Sequence, residues 1–207
     1  MNTTIYLVKH ADEQKENGIK NTNDTTQLMN EKYILSVKGE EQSKKLSENP
    51  ELNNIDVLWF SSYARAKATA KYIANRNSIE INIDDRLNER KLGNLKDLSS
   101  WMENKTIGVV QAYLLDKKWK AREGESCEEA TERITLFLKE ILKENMGKRI
   151  LLVSHGALIS FLLTNWCELN EETKLVFNDK IIEIKEPSIT KLTFDAQKLL
   201  NIETVDL

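Results

Sequence analysis

The chain has 207 residues, 40% hydrophobic and 30% charged, which is enough apolar material for a sizeable core beneath a highly charged surface. Its 30 basic and 33 acidic side chains leave a net charge of -3, a balance that argues against general nucleic-acid binding and against attraction to a membrane surface. No apolar stretch approaches bilayer-spanning length, and the two widely separated cysteines, Cys127 and Cys167, form neither a disulfide framework nor a zinc motif.

The chain opens directly into a strand-like run near 4–9, so no secretory signal is expected, and both thiols suit a reducing cytoplasm. A helix is predicted near 36–48 with Ser36 as its N-cap. A strand near 55–60 leads into a helix near 63–76, and a further strand lies near 79–83. The stretch 94–122, with Trp101 and Trp119 among charged residues, reads as a small helical insertion over the sheet's edge. Within it, the basic run from Lys117 to Arg122 reads as a solvated helix face. Ser126, with Glu129 three residues on, has the pattern of a capping box opening a helix near 126–145, and Gly147 supplies its stop. Then come a strand near 149–154, a helix near 156–167, a weaker strand near 180–184 and a last strand near 189–194. Strands alternating with helices predict an α/β fold of three layers, a mostly parallel sheet flanked by helices, in one domain over 1–207.

Only two histidines are present, and both end β-branched apolar runs. Ile5-Tyr6-Leu7-Val8-Lys9 precedes His10, and Ile150-Leu151-Leu152-Val153-Ser154 precedes His155. Ligands gather at the carboxyl ends of strands in open parallel sheets, so the two imidazoles are expected to meet at one sheet edge. Arg65, in the first turn after the run 55–60, can reach that edge, where its planar fork matches phosphate oxygens. Glu89, after the strand near 79–83, can supply a proton from the same rim. Each alone also reads as a surface residue. A serine-hydrolase elbow fails because G-x-S-x-G requires glycine where Leu152 stands, and no H-E-x-x-H zinc pattern occurs.

Taken in order, these segments resemble the histidine phosphatase superfamily, the phosphoglycerate-mutase-like phosphatases. The resemblance rests on His10 after a strand, Leu35-Ser36-x2-Gly39-x2-Gln42, Ser61-x3-Arg65-Ala66-x2-Thr69-Ala70, Leu87-x-Glu89, Gly124-Glu125-Ser126 and Ser154-His155-Gly156. It spans about residues 4–164 and implies a phosphoglycerate-mutase-like fold. It further implies a metal-independent phosphatase without cofactor, acting on a small phosphorylated substrate. His10 would be the nucleophile and Glu89 the proton donor, and Lys9, Arg65, His155 as imidazolium and the backbone opening the helix at Gly156 would hold the phosphate. A mutase of the phosphoglycerate type and a phosphate-binding pseudoenzyme of the same fold are the alternatives. The chain departs from the family's Arg-His-Gly at Lys9-His10-Ala11: lysine loses the bidentate fork, and Ala11 adds a Cβ where glycine permits positive φ. Asn17 stands about one residue away from an asparagine frequent in the family, and it receives no role.

Overall fold

The computed structural model describes residues 2–14 and 27–207, so Asn17 lies outside the described residues. In chain order the elements begin with β1 (Asn2–Lys9), α1 (Gln27–Lys32), α2 (Val37–Ser47), β2 (Val57–Phe60), α3 (Ala64–Asn77) and β3 (Ile81–Ile83). There follow α4 (Leu95–Met102), α5 (Val109–Leu115), α6 (Cys127–Glu144), β4 (Arg149–Ser154) and α7 (Gly156–Leu163). Five strands complete the chain: β5 (Glu168–Leu169), β6 (Leu175–Phe177), β7 (Lys180–Ile182), β8 (Ser188–Asp195) and β9 (Lys198–Val205).

The central sheet has six strands in the order β3-β2-β4-β1-β8-β9. Its β3–β2, β2–β4 and β4–β1 pairings are parallel, and β8 and β9 extend it antiparallel. Side chains alternate across this sheet, so each face is apolar. Ile5, Leu7, Ile150 and Leu152 pack with α6 and α7 on one side. Tyr6, Val8, Leu151 and Val153 pack with α2 and α3 on the other. This is the three-layer, mostly parallel α/β architecture expected from the strand–helix alternation. Ser36 caps α2 by accepting from the Gly39 amide, and Ser126 and Glu129 form the reciprocal capping box of α6.

Two expectations require correction, and one weak signal holds. The helix after His155 ends at Leu163 rather than near 167, because the chain turns at Thr164 into a second sheet of three strands, β5-β6-β7. The weak strand near 180–184 is β7 of that small sheet, and its antiparallel partner β6 is reached through Asn178 and Asp179, both at positive φ. The run from Lys117 to Arg122 is turn rather than helix face. Trp119 there stacks on Trp101 with centroids 3.8 Å apart, while Lys120 pairs with Glu129 and Arg122 with Asp97. α5 packs onto α7, with Tyr113 against Phe161. Among the described residues no helix is long and apolar enough to cross a membrane.

Candidate active site

Strand register builds the site. β1 and β4 run parallel with Lys9 opposite Ser154, so His10 and His155 leave the sheet side by side. The His10 amide donates to the Ser154 carbonyl at 3.1 Å, and the two imidazole centroids lie 5.1 Å apart, edge to face. β2 pairs with β4 on the other side, Phe60 opposite Val153, which brings Ser61 to the same edge.

His10 is 4% exposed. Its Nδ1 lies 2.8 Å from the Ala11 carbonyl oxygen. A carbonyl only accepts, so Nδ1 carries the hydrogen and the lone pair belongs to Nε2. Arg65 Nε donates to that Nε2 at 3.0 Å. The rest of the Arg65 fork donates to the carbonyl oxygen and side-chain Oδ1 of Asn30 on α1, and Glu13 forms an ion pair with Nε at 2.9 Å. Burial lowers the Arg65 guanidinium from its usual value while Glu13 and Glu89 oppose the shift, and it stays a cation.

His155 is fully buried. Its Nε2 meets Ser61 Oγ at 2.7 Å, and Ser61 Oγ in turn donates to Asn88 Oδ1 at 2.7 Å. With the hydroxyl hydrogen spent on Asn88, Nε2 of His155 is the donor in its own bond. Nδ1 is buried with no hydrogen-bond partner among the described residues. Burial, reinforced by Arg65 and His10, pushes the imidazole well below its ordinary value. Among the protein's own groups His155 is therefore neutral, in contrast to the imidazolium that the resemblance implies.

Glu89 lines the same cavity but is bound to the start of α7: its oxygens accept from the amides of Ala157 at 3.2 Å and Leu158 at 3.1 Å. It also accepts from the Arg90 amide at 2.9 Å. These contacts correct the expectation that the amides opening that helix are open to phosphate, since two of them hold Glu89. Gly156 contributes through its missing side chain. A Cβ there would stand 3.2 Å from Lys9 Cε, so the lysine stem lies across the glycine. Lys9 Nζ pairs with Glu186 at 3.0 Å. Ala11 does not take a positive φ; it is fully buried, and its amide donates to Thr69 Oγ1 at 3.2 Å, so the added Cβ is absorbed without strain.

His10, Lys9, Arg65, Glu89 and Gly156 thus line one cavity of about 600 Å³, and His155 lies directly behind His10. Ser61 and Asn88 fall within the quoted motifs, yet their work, orienting His155, was not read from them. Glu13, Asn30 and Glu186 carried no local signal.

The sequence model of the histidine phosphatase superfamily (branch 1) matches residues 5–203. A probable phosphoglycerate mutase of Salmonella arizonae is 30% identical over 164 residues, covering 77% of this chain and 73% of its relative. Among solved structures, a mycobacterial glucosyl-3-phosphoglycerate phosphatase superposes with a TM-score of 0.70 at 19% identity, covering 99% of this chain and 97% of that one. A phosphoglycerate mutase from Bacillus anthracis does so at 0.68, also with 19% identity, over 99% and 92%. The chain therefore belongs to the histidine phosphatase superfamily and has its phosphoglycerate-mutase-like fold.

Proposed function

We propose that this protein is a phosphatase that hydrolyses phosphate monoesters through a phosphohistidine on His10. The observation that carries the reading is the bond from His10 Nδ1 to the Ala11 carbonyl, which leaves the Nε2 lone pair beside the Arg65 guanidinium. A nucleophilic imidazole needs that tautomer, and a transferring phosphoryl group needs a cation at its equatorial oxygens.

In the first step Nε2 attacks phosphorus as the bond to the ester oxygen breaks, and the departing oxygen takes the proton of Glu89, which gives up its bonds to the Ala157 and Leu158 amides to reach it. In the second, Glu89 removes a proton from water, whose oxygen attacks phosphorus. The N–P bond breaks, inorganic phosphate leaves, and Glu89 is again protonated. Arg65 turns its fork from Asn30, and its Nε–H from His10 Nε2, to the phosphoryl oxygens, which frees the attacking lone pair, and Lys9 turns from Glu186. A dianion beside His155 reverses the balance that keeps it neutral, so the imidazole gains a proton as substrate binds and Nδ1 gains a partner. The three cations then supply the charge that a divalent ion supplies in other phosphoryl-transfer sites.

Turnover of an aryl phosphate in the presence of a chelator tests this. Inorganic phosphate should be released stoichiometrically, and Glu89→Gln should slow release by roughly 10²-fold or more. Phosphate binding without any turnover would leave a pseudoenzyme. Movement of the phosphoryl group between positions of phosphoglycerate, without release, would make the protein a mutase.

A further inference from the structure

Beside the charged groups of the site, the cavity carries a set of large aliphatic side chains. The site contributes His10, Arg65, Lys9 and Glu89. α5 presents Val109, Val110 and Leu114, and the small sheet with the residues that follow it presents Leu175, Ile182 and Ile184. Ile181 adds a large aliphatic side chain that is 46% exposed beside the same opening. Small-molecule sites commonly pair a few convergent polar groups with an apolar body of this kind.

The lining cations give little support to a second anion on the substrate. Lys174 pairs with Glu172 at 2.6 Å and Lys185 with Glu183 at 2.7 Å, all four side chains being exposed. Lys9 already faces Glu186. Arg90 has no carboxylate partner among the described residues, but it is spent on α5 itself. Its guanidinium carbon sits 4.1 Å from the Tyr113 ring centroid, and Nη1 donates to the Tyr113 hydroxyl at 3.3 Å. The carboxylates of two of these lysine pairs, Glu183 and Glu186, line the cavity with their lysines, so these charges are already balanced and offer no net attraction to an acidic group carried next to the ester.

We infer that the preferred substrates are phosphate monoesters of uncharged, predominantly apolar alcohols, whose carbon body lies between α5 and the β6–β7 hairpin. This inference rests on the phosphatase reading for its chemistry, although the apolar wall acts on binding alone. A carbon chain entering among these side chains leaves water, and each fully buried methylene should strengthen binding by about two- to fourfold. The gain should stop when the chain emerges past Ile181.

Alkylphosphonates of increasing length separate the two claims, because they bind without being hydrolysed. Calorimetric Kd values should fall by two- to fourfold per methylene from ethyl to about hexyl. Turnover of the matching alkyl phosphates should show the same trend in KM. Val110→Asp on α5 and Ile181→Asp on β7 should each flatten the dependence on chain length. A Kd constant within about twofold from methyl to octyl would overturn the inference. So would 3-phosphoglycerate or phosphoserine binding tenfold tighter than octylphosphonate. Chain-length-dependent phosphonate binding without turnover of any ester would refute the phosphatase reading and leave the apolar subsite standing.

Discussion

Gly156→Ala should separate activity from stability. The first residue of α7 tolerates alanine as a helix former, and glycine-to-alanine changes inside helices gain up to about 1 kcal/mol, so stability should hold or rise slightly. The new Cβ, however, would stand 3.2 Å from Cε, 3.4 Å from Cδ and 3.4 Å from Nζ of Lys9. All three are atoms of one flexible side chain, so the lysine yields and the backbone stays. Removing a preorganised donor outright costs on the order of 10²–10³ in turnover, and a displaced point charge should cost about tenfold. The assay is kcat/KM on an aryl phosphate beside a urea unfolding curve. In a Lys9→Ala background the same glycine change should cost nothing further, because its effect passes through the lysine. An equal loss in both backgrounds would refute the reasoning, as would unfolding of the variant.

Arg65→Ala should lower turnover by on the order of 10²-fold or more, since it removes the guanidinium that faces His10 Nε2. A loss under threefold would remove Arg65 from the phosphoryl site. The depressed imidazole of His155 also sets a pH dependence of stability. The unfolded chain binds a proton there below about pH 6.5 that the folded chain refuses. Stability should therefore fall as pH drops below that point, by up to about 1.4 kcal/mol per pH unit until the folded value is reached. His155→Gln should lack this slope between pH 6.5 and 5, and parallel unfolding curves for the two proteins would contradict the burial argument.

What could be read from the chain follows from how local each signal is. The runs ending at His10 and His155 are short, β-branched and continuous, which marks them as buried parallel strands. Once they are neighbours, register alone brings the imidazoles together. The small sheet escaped because its strands have only two or three residues. Its one legible cue, Asn178-Asp179 between apolar runs, is a pair suited to positive φ. β9 was missed for the opposite reason: the Ala196-Gln197 turn lacks the usual residues, even though Ala196 sits at φ 51. α1 has six residues of which only the adjacent Leu28 and Met29 are apolar, too few to draw a helical stripe. Glu186 meets Lys9 and Asn30 meets Arg65 only through the tertiary fold, so no spacing rule announces them. Ala11 adds a Cβ at a position where the family has glycine, and its backbone here needs no positive φ.

The central claim is a covalent bond from His10 Nε2 to phosphorus, and rapid mixing with a labelled aryl phosphate followed by a denaturing quench tests it most directly. One label per chain is expected on His10, lost in acid, stable in alkali and absent from His10→Ala. Label that persists in His10→Ala, or that maps to a serine, would contradict it.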